Sequence, residues 1–90
     1  MLYMVVERFR DGAAPAIYAR LREKGRMMPE GLRYHASWVT VDRVRCFQLM
    51  ESDDARLFAQ WTAAWSDLVD FEIIPVMTSA EAAAASTEAG

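Results

Sequence analysis

Residues 33–51 read RYHASWVTVDRVRCFQLME, and this stretch decides the fold. Aromatic and β-branched residues stand on both sides of a polar break at Asp42-Arg43, which is typical of two strands joined by a turn. We therefore predict a β-hairpin with strands over residues 33–41 and 44–51 and a tight turn at Asp42-Arg43.

The hairpin divides its side chains between two faces, because successive residues of a strand point to opposite sides of a sheet. With Val41 opposite Val44, one face pairs Trp38 with Phe47, Ala36 with Leu49 and Tyr34 with Glu51. The other face pairs Val39 with Cys46, Ser37 with Gln48 and His35 with Met50. We expect the first, aromatic and aliphatic face to meet a helical layer. The second face mixes apolar and neutral polar groups, which suits a semi-polar cavity or a subunit interface, and there we expect the function.

A strand and a helix precede the hairpin. The nearly continuous apolar run at residues 2–9 predicts a central strand. Glu7 in this strand lies either at its fraying end or in a polar pocket. A helix is predicted over residues 14–25, with Pro15 in its first turn and Gly25 as its C-terminal cap.

A helix, a strand and a tail follow the hairpin. The cluster Ser52-Asp53-Asp54 is predicted to begin a helix that runs to about residue 66. Pro75 cannot donate to a sheet ladder, so the last strand, 69–77, should lie at a sheet edge or leave the sheet there. Thr78 and Glu81 have capping-box spacing and predict a short helical turn. The apolar stripe of the helix should pack on the aromatic face of the hairpin and consists of Leu57, Phe58, Trp61, Trp65 and Leu68.

The resulting order is β-α-β-β-α-β, which predicts an α+β fold of the ferredoxin-like type: four antiparallel strands with two helices on one face. Residues 1–78 form this single domain, and residues 79–90 form an alanine-rich C-terminal tail. A sheet with apolar residues on both faces needs a second cover. A twofold partner supplies that cover and gives a dimeric α/β barrel.

Composition and charge bound the function. The 90 residues are 53% apolar and 11% aromatic, although a domain this small buries only roughly 60–65% of its unfolded surface. Either another subunit covers part of the apolar surface or a monomer has a well-filled core. The net charge of −3 gives no overall basic footprint for nucleic acid.

Location follows from the cysteine content and the start of the chain. Cys46 is the single cysteine, which excludes an intrachain disulfide and fits a reducing cytosol. The first residues carry no basic segment, and Glu7 interrupts their apolar run. We therefore expect a cytoplasmic protein with neither a signal peptide nor a membrane span.

Several segments resemble a small bacterial family that is known only as a domain of unknown function: residues 1–9, 31–34, 37–39, 45–51 and 71–76, with Trp61 and Trp65. The run RCFQLME at 45–51 is the most specific of them. That family looks like a member of the dimeric α/β-barrel superfamily. The superfamily includes cofactor-independent monooxygenases of the antibiotic-biosynthesis type, lactone isomerases and haem-degrading enzymes. The resemblance implies the architecture and a homodimer, and it assigns no catalytic residue.

The candidate ligand-binding residues come from the semi-polar face of the hairpin and from the first strand: Glu7, His35, Ser37, Cys46, Gln48 and Met50. Gln48 is the most informative, because a buried amide must find hydrogen-bond partners. Either Ser37 opposite it satisfies that need, or Gln48 orients a ligand.

No catalytic residue, metal ligand or cofactor is predicted, because the chain has no Gly-rich phosphate loop, zinc-type spacing or nucleophile elbow. His35 and Cys46 share a face but lie about 13 Å apart along the strands, whereas a nucleophile and its base need roughly 3 Å. We expect Cys46 to be a small buried residue and His35 to be a surface or rim group.

Three functions remain open. The first is a homodimer that binds a small apolar or aromatic molecule in the barrel interior. The second is a cofactor-independent monooxygenase or isomerase that works on such a molecule. The third is a structural or regulatory dimer without a ligand.

Overall fold

A computed structural model describes the backbone of residues 1–89 and the side chains of residues 1–86. The elements are β1 (Leu2–Phe9), α1 (Ala14–Lys24), β2 (Arg33–Val39), β3 (Arg45–Glu51), α2 (Arg56–Ala63), β4 (Val69–Val76) and α3 (Ser79–Ala89). The strands form one antiparallel sheet in the order β2-β3-β1-β4. The predicted ferredoxin-like α+β fold is confirmed, and β4 with Pro75 lies at a sheet edge as predicted.

The centre of the hairpin has the predicted register. Trp38 lies opposite Phe47, Ser37 opposite Gln48 and Val39 opposite Cys46. The turn is wider than predicted, because β2 ends at Val39 and β3 begins only at Arg45. The Asp42 carboxylate accepts hydrogen bonds from the Thr40 hydroxyl at 2.6 Å and from the Val44 N–H at 3.3 Å. These local bonds stabilise the turn, and the Thr40 N–H still donates to the Arg45 carbonyl at 2.9 Å across the hairpin.

The other end of the hairpin departs from the predicted register. A β-bulge between Tyr34 and Ala36 leaves His35 without a partner on β3. Tyr34 therefore lies opposite Met50, and Arg33 takes the place opposite Glu51. The extra residue reverses the side of the sheet to which the preceding side chains point. The predicted cross-strand partners of Tyr34 and His35 are therefore wrong.

The helices cover the opposite face of the sheet from the one predicted. The buried core consists of Val5, Ala13, Ile17, Leu32, Met50, Phe58, Trp61, Trp65 and Val69. Gln48 lies opposite Val5, and Cys46 lies opposite Glu7, so the semi-polar face of the hairpin is the one beneath α1 and α2. We call this side of the sheet the covered face. The expectation that Trp38, Phe47 and Leu49 meet the helices is wrong.

The large aromatic rings on the covered face come mainly from the helical layer. The aromatic stripe near α2 already supplies two indole rings, Trp61 and Trp65, which are both buried. Trp61 packs against Phe71 of β4 with ring centroids 5.4 Å apart. Opposite these rings the hairpin contributes smaller side chains, such as Cys46 and Gln48, and the layer between them is not completely filled.

The other side of the sheet, which we call the open face, carries no helix of the ferredoxin-like core. Residues opposite one another in the ladder share a face, and this face presents Met4, Val6, Trp38, Phe47, Leu49, Ile74 and Val76. Trp38 is 57% exposed, and Ile74 is also exposed. The open face is therefore a largely apolar surface that α1 and α2 leave uncovered.

The helices differ in length from the predictions. α1 ends at Lys24, and the N–H of Gly25 donates to the Leu21 carbonyl, as expected of the predicted cap. α2 ends at Ala63, earlier than predicted, and residues 64–68 continue in tight turns that include the bond from the Trp65 N–H to the Thr62 carbonyl.

The tail forms the helix α3 instead of a single turn. Its capping box is confirmed, because the Glu81 N–H donates to the Thr78 hydroxyl and the Thr78 N–H to the Glu81 carboxylate. The side chains of residues 79–86 are exposed. Gly90, the last residue of the predicted tail, lies outside the described residues. Within residues 1–89, each helix is too short or too polar to cross a bilayer.

Candidate ligand-binding site

A cavity of about 240 Å³ lies between the covered face and α1 and α2. Its volume exceeds that of a cavity that holds benzene, about 150 Å³, and falls just below the range of drug-sized pockets, about 300–1,000 Å³. It is lined by Glu7, Phe9, Ile17, Tyr18, Leu21, Arg26, Ser37, Val39, Cys46, Gln48, Trp61 and Trp65. The walls are thus mostly apolar and aromatic, with a few polar groups.

A buried polar pair forms part of this wall. Glu7 and Gln48 lie on adjacent strands, and each is only 7% exposed. The Gln48 Nε2 donates to the Glu7 Oε2 at 2.5 Å. Burial raises the pKa of the Glu7 carboxyl above its ordinary value, although hydrogen bonds from Gln48 and Cys46 and the charge of Arg26 act in the opposite direction. A carboxyl with a raised pKa in a cavity keeps its proton to a higher pH than an exposed carboxyl, which suits it to exchange a proton with a bound molecule.

The other end of the Gln48 amide has no partner. Among the described residues, its Oε1 is the single buried side-chain nitrogen or oxygen atom without a hydrogen bond. Ser37 lies opposite Gln48 as predicted, but its hydroxyl shares a 2.7 Å hydrogen bond with the Tyr34 hydroxyl instead. Ser37 therefore does not satisfy Gln48. An unpaired buried carbonyl is costly and uncommon, so Gln48 Oε1 is an unsatisfied acceptor on a residue that lines the cavity.

Cys46 contributes a neutral thiol to the wall. Burial and the neighbouring Glu7 raise the pKa of the thiol to about 12. A thiolate nucleophile needs a lowered pKa, so Cys46 is unsuited to nucleophilic chemistry here. The expectation of a small buried residue at this position is confirmed.

The structure separates two of the six predicted residues from the others. Glu7, Ser37, Cys46 and Gln48 come together in the cavity wall. His35 does not, because the bulge turns it toward Glu51, whose Oε1 lies 2.9 Å from the His35 Nε2. It lines a different depression, beside the open face, together with Leu49 and Glu81. Met50 lies on the covered face but is fully buried in the core and does not line the cavity.

Arg26 is the main cavity residue outside the six predicted ligand-binding residues; the sequence favours a solvated helix end for this basic segment over an anion site. It lies in the connection between α1 and β2 and is half-buried. Its carbonyl accepts hydrogen bonds from the indole N–H groups of Trp61 and Trp65, each at 3.0 Å. Its guanidinium lies 3.8 Å from the ring centre of Tyr34, which is a cation–π contact. The only signal in the sequence is a basic residue directly after the cap glycine, which is also typical of a solvated helix end.

The comparisons with known proteins identify a family and nothing more specific. A family model described as "Domain of unknown function (DUF3303)" matches residues 1–90. No curated protein and no solved structure shows a significant match to the chain.

Proposed function

The chain belongs to the family of domains of unknown function DUF3303, and we propose from its geometry that it binds a small, mainly apolar molecule in the cavity beneath α1 and α2. The observation that carries this proposal is the unsatisfied acceptor at Gln48 Oε1, on a residue that lines a cavity of about 240 Å³ with mostly apolar walls. Ligand sites typically combine such walls with a few convergent polar groups. A ligand that donates one hydrogen bond to Gln48 Oε1 would supply the partner that this buried amide lacks.

The proposed site differs in place from the barrel interior expected from the sequence. The polar residues of the hairpin lie under the helices, so the ligand lies inside one subunit and not between two sheets. The aromatic rings of Trp61 and Trp65 supply part of its wall. A ligand with a flat ring is therefore favoured, since aromatic pairs gain about 0.5–1.5 kcal/mol beyond their buried area.

Proton-transfer catalysis of the cofactor-independent monooxygenase or isomerase type is a second candidate. Glu7 favours it, because a buried carboxyl with a raised pKa is suited to accept a proton from a bound substrate. Gln48 would hold this carboxylate through its amide N–H. Turnover by the wild type that Glu7→Gln abolishes, while ligand binding persists, would support this candidate.

We further propose that the open face pairs with the open face of a second copy, in a twofold dimer of the α/β-barrel type. Its exposed apolar residues, above all Trp38, support the proposal, because large apolar patches on a surface usually mark an interface. Trp38→Asp should then yield a folded monomer in light scattering after size exclusion. Val41→Asp, which changes a fully exposed residue of the hairpin turn, is the matched control and should stay dimeric. A Trp38→Asp protein of dimeric mass would refute this interface.

The ligand proposal is tested with phenol and toluene, which have nearly the same shape but differ in a hydroxyl donor. Titration followed by amide NMR should show saturable shifts around the cavity, with phenol binding about tenfold more tightly, as one buried hydrogen bond allows. Gln48→Met should reduce that preference to near unity. Gln60→Met, which alters an exposed glutamine on α2, should preserve it. Shifts that do not saturate, or that map outside the cavity, would overturn the proposal.

A further inference from the structure

We infer that the ligand carries a carboxylate or a comparable oxyanion and that this group pairs with Arg26. The inference rests on the proposed ligand-binding function and adds the chemical class of the ligand. It makes Arg26 and Gln48 the two polar contacts that orient a small acid: the first holds its anionic end and the second accepts a hydrogen bond from its donor group.

Arg26 is held in place by its main chain. The carbonyl of Arg26 accepts both indole N–H groups of the cavity wall. The neighbouring Met27 has a φ of 55°, in the left-handed region that residues with a side chain seldom adopt. Such a conformation persists only where the surrounding structure imposes it, and it is enriched at functional sites. The side chain of Arg26 therefore starts from a fixed point at the cavity wall.

Among the described side chains, Arg26 forms no direct ion pair with a carboxylate, although its charge acts on Glu7 from a distance. Several other arginines have ion pairs: Arg10 with Asp70, Arg20 with Asp67, Arg33 with Glu51 and Arg56 with Asp54. Among residues 1–86, Arg26 forms no such pair. Its guanidinium instead stacks on Tyr34, a contact that uses the ring face and leaves the N–H donors available. A half-buried guanidinium with open donors favours a planar anion, which it can bind through two parallel hydrogen bonds.

Glu7 is not the ion-pair partner of Arg26. Its carboxylate accepts hydrogen bonds from Gln48 and Cys46, and Arg26 acts on it only through space. The residues that line the cavity therefore include one cation without a direct ion pair and one acceptor without a donor, in walls that are mostly apolar. A small aromatic acid with one hydroxyl or amine donor satisfies both groups at once.

A pair of nearly isosteric probes tests the inference. Para-hydroxybenzoate and para-hydroxybenzamide share a ring and a hydroxyl donor, but only the first is anionic at neutral pH. Their dissociation constants are measured by NMR titration on the full chain. The wild type should bind the anion at least about tenfold more tightly, as expected of one charge-assisted pair. Arg26→Gln should remove this preference, and Arg26→Lys should retain part of it.

Arg22→Gln is the matched control, because it removes the same charge from an exposed position on α1. It should leave the preference unchanged. Equal binding of the two probes by the wild type would overturn the inference while leaving the proposed function intact. A preference for the anion that survives in Arg26→Gln would overturn the assignment to Arg26. If the wild type binds neither these probes nor phenol, both the inference and the proposed function fail. The comparison of the anionic and the neutral probe in the wild type tests the inferred preference even if a variant does not fold.

Discussion

The two faces of the sheet contrast in a way that ordinary burial rules do not suggest. The covered face includes a carboxyl, an amide and a thiol among its buried groups, whereas the open face leaves Trp38 and Ile74 exposed. Buried polar groups and exposed apolar patches are the informative exceptions to burial statistics. The covered face thus holds the candidate ligand site, and the open face holds the candidate interface. Substitutions on one face can therefore serve as comparisons for substitutions on the other.

The largest expected effect compares one tryptophan from each face. Trp61 is 2% exposed and Trp38 is 57% exposed. Trp61→Ala should destabilise the protein by about 3–5 kcal/mol, because it empties a packed core and removes the hydrogen bond to the Arg26 carbonyl. Trp38→Ala should cost far less in dilute solution. Chemical denaturation followed by circular dichroism measures both.

Protein concentration provides the control for this comparison. If the open face is an interface, the cost of Trp38→Ala should grow as the wild type becomes more dimeric, since association stabilises the folded state by mass action. The cost of Trp61→Ala should change much less with concentration. If Trp38→Ala and Trp61→Ala reduce the free energy of unfolding equally at every concentration, the open face does not act as an interface distinct from the core.

A second comparison uses neighbours on one strand. Met50 is fully buried under the helices, whereas Leu49 points to the open face and is half-buried. Met50→Ala should destabilise by about 2–5 kcal/mol, and Leu49→Ala by less. This ordering reverses the one that the predicted faces require. If Leu49→Ala reduces the free energy of unfolding more than Met50→Ala does, the face with Leu49 meets the helices, as the sequence predicted.

The sequence predicted the order of the elements and the register at the centre of the hairpin, because those depend on local patterns. Period-two alternation and the turn at Asp42 placed Trp38 opposite Phe47, and helical periodicity placed Trp61 and Trp65 on one stripe. Which face of the hairpin meets that stripe depends on how side-chain volumes add up across two layers. No pattern within one strand contains that information, and the choice of the more apolar face was wrong.

The candidate site was predicted in part for the same reason. Glu7, Ser37, Cys46 and Gln48 share a face of neighbouring strands, and strand alternation alone groups them. His35 lies outside the site because of a β-bulge, and no residue type in this stretch predicts that bulge. Arg26 was missed because its connection to the site runs through a main-chain carbonyl that receives two indoles from distant positions.

Glu7 gives a pH signature of the covered face. Because burial raises its pKa above 4.5 in the folded state, the folded protein holds this proton more tightly than the unfolded chain. Stability from this group is thus fully present below pH 4.5 and is lost as the pH rises through the folded pKa. Glu7→Gln should remove that decline. Urea unfolding at a series of pH values above 4.5 measures it as a difference from the wild type.

Glu72→Gln, at an exposed position of the open face, is the matched control and should leave the pH profile near that of the wild type. Acidic groups with lowered pKa values, such as Asp67 at about 2, act in the opposite sense and below this window. They lose their stabilising contribution as the pH falls, so they do not mask Glu7. Identical profiles for the wild type and Glu7→Gln above pH 4.5 would show that Glu7 is not desolvated.

The smallest expected effect concerns α3, which extends from the end of β4 beside the open face. Its side chains over residues 79–86 are exposed, so this part of α3 covers almost no apolar surface. The free energy of unfolding should change by no more than about 0.5 kcal/mol, the usual range for surface changes. Thermal and chemical denaturation of the truncated chain test this expectation.

The same truncation separates two ways of closing the open face. If the two sheets pair directly, the truncated chain should keep its dimeric mass in light scattering, since α3 takes no part in that interface. If α3 instead packs on the open face of the partner, truncation should release monomers. Ala82→Pro, which breaks the helix without shortening the chain, should then release them as well. A monomeric truncated chain beside a dimeric Ala82→Pro variant would assign the contact to the tail residues themselves and not to their helical form.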